Sequence, residues 1–189
     1  MSKGKLIIVT APSGAGKSTI IHHVMQTHPN LHFSVSCTTR APRKNEIDGQ
    51  DYFFLNDSQF NKKVDAGEFI EHACVHENNY GTLKSELMNF IDDGKNVLLD
   101  IDVQGANQLR NILNDEMKAI ATFVYIAPPS IEALEERLRA RGTETEDVIQ
   151  TRLANAKSEL DEKDKFDIII MNHKLSKAIE EFTAIVDAP

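Results

Sequence analysis

The stretch LIIVTAPSGAGKSTII, residues 6–21, passes from an apolar run through a turn of small residues into a second apolar pattern. Residues 6–9 read as a buried strand, Ser13-Gly14-Ala15-Gly16 as a flexible turn, and Lys17-Ser18-Thr19 as the opening of a helix. Strand, glycine turn and helix in that order are the context in which the pattern GxxxxGK[ST] forms a phosphate-binding loop. Backbone N–H groups of the turn and of the first helical turn then converge on a phosphate. The candidate contacts are Ser13, Gly14, Ala15, Gly16, Lys17, Ser18 and Thr19, with Lys17 reaching the β and γ oxygens of a nucleoside triphosphate and Ser18 placed to ligate Mg2+. The first position of the pattern holds Ala11 instead of glycine. Alanine tolerates ordinary strand geometry, so the loop survives the change if φ at Ala11 is negative.

Working outward, 189 residues with 41% hydrophobic content suffice for one domain with a real core. Twenty-one Lys and Arg against 29 Asp and Glu give a net charge of −8, which opposes a broad grip on nucleic acid or an anionic membrane. The first apolar run is too short for a signal segment and no 18-residue apolar stretch follows, so a cytoplasmic protein is expected, with Cys37 and Cys74 as reduced thiols. Apolar runs at residues 6–9, 97–99, 121–126 and 168–171 alternate with helical periodicity over 18–26, 104–113 and 131–139. That alternation predicts an α/β fold, a parallel sheet flanked by helices. Over residues 34–86 the texture changes to short strands (52–55 and 69–75), turns and clustered Arg and Tyr, an inserted lobe; residues 137–160 are charged and read as helices.

Seven further segments carry specificity: FSVSCTTRAPR (33–43), DGQDYFF (48–54), GEFIEHA (67–73), NNYGT (78–82), LLDIDVQGA (98–106), IAPPS (126–130) and RLRARGTETE (137–146). In order and spacing they resemble the guanylate kinases over nearly the whole chain. The resemblance implies a P-loop NTPase-type fold with a core (1–33, 83–136 and 164–189), a small mixed α+β GMP-binding lobe (34–82) and a helical lid (about 137–163). It implies phosphorylation of GMP, or dGMP, to the diphosphate with ATP as donor and Mg2+ as cofactor. It also implies that Gly81 and Asp100 line the GMP site, that Arg137, Arg141 and Arg152 fold over the transferring phosphates, and that Asn172 touches the adenine of ATP.

Several of these residues make chemical sense unaided. A phosphate dianion calls for forked donors, and Arg40 and Arg43 supply two guanidiniums, with the hydroxyls of Tyr52 and Tyr80 to complete the ring. Guanine offers adjacent N–H donors, which a carboxylate accepts: Glu71 suits them, on a strand face shared with Phe69 and Ala73, while the hydroxyls of Ser36 and Thr82 are able to donate to O6. Asp100 and Asp102 follow a buried strand and read as carboxylates for Mg2+ and its waters. Lys17 and Arg40, with the three lid arginines, are the charges expected to act on the phosphates. Arg139 reads as a surface charge.

Two rivals are weaker. A phosphopeptide-binding module on the same fold usually degrades the phosphate loop, whereas Lys17 and Ser18 stand here; a kinase for ribose bisphosphate has no use for Ser36, Glu71 and Thr82. His72, Cys74 and His76 share a strand face opposite Glu71, but three alternating ligands without a fourth make a poor zinc site.

Overall fold

A computed structural model describes residues 3–75, 77–140, 142 and 145–188. The chain runs β1 (Leu6–Thr10), α1 (Lys17–Thr27), β2 (His32–Ser34), β3 (Cys37–Thr38), β4 (Phe53–Phe54), α2 (Asp57–Asp65), β5 (Phe69–Val75), β6 (Asn78–Leu83) and α3 (Lys84–Asp92). It continues through β7 (Val97–Asp100), α4 (Val103–Ile112), α5 (Asp115–Ile120), β8 (Ala121–Ala127), α6 (Ile131–Ala140), α7 (Glu146–Asp161), a 3₁₀ turn (Lys163–Lys165), β9 (Ile168–Met171) and α8 (Leu175–Asp187). The strands form a five-stranded parallel sheet, order β2-β7-β1-β8-β9, and a four-stranded mixed sheet, order β4-β3-β6-β5. The expected α/β class is therefore the observed one. Among the described residues no helix is long and apolar enough to cross a membrane.

The chain divides into two compact units, residues 1–6 with 30–121, and residues 7–29 with 122–189. In the second, residues 7–10 of β1 and the last five residues of β8 are buried, the pattern of strands covered on both faces. β9 departs from it: Ile168, Ile169 and Met171 are exposed and Ile170 alone is buried. It ends the sheet, paired in parallel with β8 on one side. Leu134 and Leu138 of α6 pack with Ile149, Leu153 and Ala156 of α7 in a core of their own. The spacing that buries each pair, four residues apart, puts them on one helix face.

In the first unit, β2 pairs in parallel with β7, and the mixed sheet hangs on the long antiparallel pair β5–β6. Its register shifts between Phe69 and Glu71, an irregularity that re-aims the strand next to a candidate residue. Helix α2 covers this sheet. It starts with a capping box, the Asn56 side chain accepting from the Gln59 amide and the Gln59 side chain accepting from the Asn56 amide, both at 2.9 Å. Its Phe60 is buried and stacks on Phe69 at 4.6 Å between ring centroids, within a cluster that includes Cys37, Phe53, Leu55, Val64 and Leu83.

Because Phe60 is the one buried side chain that α2 contributes, Phe60→Ala is expected to destabilise the protein by about 3–5 kcal/mol, the usual range for removing a core Phe. Urea denaturation followed by circular dichroism checks it; a midpoint within error of the wild type would show that α2 is not held by this ring.

Candidate functional site

The glycine turn between β1 and α1 belongs to the second unit. Gly14 and Gly16 have φ of 92° and 96°, a region that costs a residue with a Cβ. Space is short as well as conformation: a Cβ on Gly16 would lie 2.5 Å from Nδ2 of Asn172, and one on Gly14 would lie 3.0 Å from the side chains of Leu134 and Leu138. Positive φ among the described non-glycine residues occurs at Asn45 and Glu77, so Ala11 has the negative φ expected of it. The Ala15 amide donates to the Pro12 carbonyl at 3.0 Å and closes the turn.

The start of α1 differs from those of α2, α4 and α5. Those three are capped by the side chains of Asn56, Asp102 and Asn114. At α1 the capping position is Gly16, there is no side-chain cap, and the first turn carries no acidic residue. Amides of an N-terminus left without a side-chain acceptor are the donors an anion wants, and the helix dipole adds to their pull. Lys17, Ser18 and Thr19 are the first residues of this helix.

Three predicted residues support the loop from behind. Buried Asn172, just after β9, donates from Nδ2 to the Ala15 carbonyl at 2.7 Å. Arg137 of α6 donates to the Asn172 carbonyl at 2.8 Å and to that of Ala15 at 3.4 Å. Arg152 of α7 donates to Oγ of Ser13 at 2.6 Å. The expectation had Arg137 and Arg152 on phosphates and Asn172 on adenine; here all three hold the loop. Beside it lies a cavity of about 430 Å³, lined by Gly14, Gly16, Thr19, Arg137, Ala140, Asn172 and Leu175. Arg139 is exposed and pairs with Glu135 and Glu146, the surface role read from the sequence. Arg141 lies outside the described residues, as does His76.

The other predicted residues belong to the first unit. Arg40 is held by a residue the sequence reading did not single out, Glu46. The two form a bidentate pair at 3.0 and 2.9 Å, and the Arg43 amide donates to the same carboxylate at 2.6 Å. The Arg40 guanidinium also lies 5.4 Å from the ring centre of Tyr52, which meets Tyr80 edge-on at 6.0 Å. Burial pushes the Tyr52 hydroxyl up to about 12, so it stays a donor at any physiological pH. Arg40, Tyr52 and Tyr80 thus lie together, and in this structure the anion on the Arg40 fork is the Glu46 carboxylate. Nothing in the spacing of Glu46, six residues after Arg40, signals that pairing.

Glu71 lies on the buried face of β5 with Phe69 and Ala73, while His72 and Cys74 face out. It is 5% exposed, and Oε1 accepts from the Thr82 hydroxyl at 2.6 Å, directly across the β5–β6 pair. A hydroxyl has a single proton to give. In this structure Thr82 spends it on Glu71; Ser36, the other expected hydroxyl, is buried as well. Gly81, next to Thr82, leaves no room for a Cβ against Phe69, at 2.9 Å. Burial raises Glu71 to about 7, against the lowering effect of the Thr82 hydrogen bond and with a further push from the charge of Asp102.

Asp100 ends β7 and Asp102 caps α4, its Oδ1 accepting from the Gly105 amide at 2.8 Å. One oxygen of the second predicted metal carboxylate is thus committed to the helix. Among the described residues no three His, Cys, Asp or Glu side chains group closely enough to hold an ion. The available donors, the Ser18 hydroxyl and the two aspartates, are hard oxygens suited to Mg2+, which takes few protein ligands when phosphate and water supply the rest. Cys37 is buried and Cys74 exposed, both unbridged.

The Glu71 carboxyl yields a pH test of stability. Its value in the folded protein, about 7, stands above the ordinary 4.5, so the fold loses stability progressively as pH rises from about 4.5 to about 7, and below about 4.5 there is no such loss. Glu71→Gln removes the titration. The variant should lie within about 1 kcal/mol of the wild type at pH 5 and exceed it at pH 8 by up to about 3 kcal/mol. Thermal melts of both proteins at the two pH values decide it; an unchanged difference would show that Glu71 is ionised throughout.

Comparison with known proteins gives one answer. The family model described as guanylate kinase matches residues 3–189. The guanylate kinase of Thermotoga maritima is 47% identical over 184 residues, 97% of this chain and 86% of that one. That of Salinibacter ruber is 43% identical over 182 residues, 96% of this chain and 94% of the relative. The crystal structure of guanylate kinase from Anaplasma phagocytophilum superposes with a TM-score of 0.80 at 31% identity, covering 100% of this chain and 87% of its own. A glycine loop without a side-chain cap, a buried carboxylate in a small mixed sheet and a match over residues 3–189 lead to one conclusion: the chain belongs to the guanylate kinase family.

Proposed function

We propose that Glu71 reads the guanine of the acceptor, that Arg40, Arg43, Tyr52 and Tyr80 take its phosphate, and that the loop of residues 13–19 takes the phosphates of the donor. The chain is a phosphotransferase that moves the γ-phosphate of ATP to GMP, giving ADP and GDP. The observation that carries the residue assignment is the buried Glu71, since a carboxylate at 5% exposure in a kinase of nucleotides needs a partner rich in N–H donors. Guanine N1–H and N2–H₂ are such a partner, and adenine, with an acceptor at N1, is not. The second acceptor in this class, dGMP, presents the same base edge.

The steps follow from the residues. ATP lays its β- and γ-phosphates on the amides of the loop and of the first turn of α1, and its adenosine enters the 430 Å³ cavity beside Thr19, Asn172 and Leu175. Lys17 neutralises charge on the transferring group. In the lobe, the phosphate of GMP exchanges with the Glu46 carboxylate on the Arg40 fork, swapping one anion for another of higher charge. The acceptor oxygen is already ionised near neutral pH, so no general base is required. Transfer is in line, and positioning with charge stabilisation supplies the acceleration. Ser18, Asp100 and Asp102 are the residues that would hold Mg2+, partly through water, and the ion would supply neutralisation of phosphate charge. Arg141 is assigned to the same phosphates as a lid residue, and Arg137 and Arg152 serve first by holding the loop in shape.

Lys17→Ala is expected to lower kcat by two or more orders of magnitude with little change in GMP affinity, since the residue belongs to the donor half. Coupled measurement of ADP release with GMP as acceptor checks it, and a variant with near wild-type turnover would remove the loop from the reaction.

For Glu71→Gln, the ratio of kcat/KM for GMP over AMP should fall at least about tenfold, mainly through GMP, which loses a charge-assisted hydrogen bond while AMP loses a clash. Both acceptors are to be assayed at saturating MgATP. An unchanged ratio would mean that another residue selects guanine.

A further inference from the structure

The carboxylate that reads the base is held by helix α4 through two contacts that the family assignment does not itself supply. The first is a space. Oε2 of Glu71 lies 2.6 Å, and its Cδ 3.2 Å, from where a Cβ on Gly105 would be. Gly105 is not among the glycines with positive φ and stands inside the helix, where glycine costs about 1 kcal/mol relative to alanine. Backbone conformation does not call for glycine at this position; the carboxylate lying against it does. The second contact is a clamp. The Gln108 side chain donates from Nε2 to the His72 carbonyl at 2.8 Å and accepts from the His72 amide at 3.3 Å. β5 ends its sheet, so the main chain at His72 has no neighbouring strand on that side, and the amide of Gln108 stands in for one.

Gly105 and Gln108 are three residues apart and so share a face of α4. That face meets β5 at Glu71 and at the residue after it. The β5–β6 register shifts just before Glu71, an irregularity that re-aims the strand at that residue. Thr82 fixes one carboxylate oxygen, the hollow at Gly105 receives the other, and Gln108 fixes the backbone behind both.

We infer that Gly105 and Gln108 are positioning residues for guanine recognition, setting the orientation of the Glu71 carboxylate without touching the substrate. The inference rests on the reading of Glu71 as the guanine acceptor. Inosine monophosphate separates positioning from folding: its base keeps N1–H and O6 and lacks the 2-amino group, so it takes one carboxylate bond where GMP takes two. A residue that only holds the lobe together would, when changed, weaken both acceptors by one factor. A residue that aims the carboxylate would weaken GMP more.

The experiment measures kcat and KM for GMP and for inosine monophosphate, at saturating MgATP, in the wild type, Gly105→Ala, Gln108→Ala and Glu71→Gln, with circular dichroism melts of each. For Gly105→Ala the ratio of kcat/KM, GMP over inosine monophosphate, should fall about tenfold, the worth of one charge-assisted hydrogen bond, through KM for GMP with kcat nearly kept. Gln108→Ala leaves the hollow intact and should move the ratio the same way by about threefold, which keeps the inference open to test if the alanine at 105 prevents folding. Wild-type ratios in every variant that folds would overturn the inference, whatever the loss of overall activity. If Glu71→Gln also keeps the wild-type ratio, the guanine reading itself fails; if it lowers the ratio while the other two do not, the positioning role alone fails.

Discussion

One backbone oxygen, the carbonyl of Ala15, carries much of the second unit. It accepts from Asn172 at 2.7 Å and from Arg137 at 3.4 Å, and Arg137 in turn binds the carbonyl of Asn172. Through these bonds the turn after β1, the residue after β9 and helix α6 are tied at one place. The Ala15 carbonyl is drawn back to Asn172 and Arg137, and the α1 N-terminus beside it carries no side-chain cap. The glycines at 14 and 16 follow from the same closeness, since the first is packed under Leu134 and Leu138 and the second against the Asn172 amide. Protein groups thus hold the carbonyl side of the loop, while no side chain caps the helix that follows it.

The first unit solves the opposite problem, that of keeping an acceptor ready in a buried place. An isolated carboxylate under the β5–β6 sheet is costly, and the rise of Glu71 to about 7 records that cost. The Thr82 hydrogen bond reduces it without removing it, and the charge of Asp102 adds to it. On the proposed reading, the N–H groups of guanine supply the missing partners. Arg40 shows the complementary arrangement: its guanidinium is matched by the Glu46 carboxylate, so neither charge lacks a partner.

Specificity and catalysis therefore draw on different physics. On the proposed reading, donor phosphates meet main-chain amides and a lysine, which any nucleoside triphosphate would satisfy. The acceptor meets a buried hydrogen-bonding edge, where a mismatch leaves polar groups without partners and is correspondingly expensive. That edge is also where a helix glycine and a side-chain amide lie against the strand that carries Glu71.

By itself the sequence determined the phosphate loop, because strand, turn and helix signals there are local and adjacent. It determined the alternating strands of the sheet as well: β5 and β9 begin and end where the alternation and the apolar run do, at Phe69–Val75 and Ile168–Met171. It named Glu71 and Thr82, since a carboxylate sharing a strand face with Phe69 and Ala73 is conspicuous. Helix α8 went unread although Ala178, Phe182 and Val186 recur every four residues and carry its signal. What tertiary structure alone decided are relations between residues far apart in the chain. Asn172 and Arg137 hold a carbonyl more than a hundred residues earlier, Thr82 gives its proton to Glu71, and Gln108 bonds the main chain of an edge strand. Such bonds leave no periodicity behind, because a hydrogen bond is selected by distance and direction in space, and sequence patterns report only which face of an element is buried.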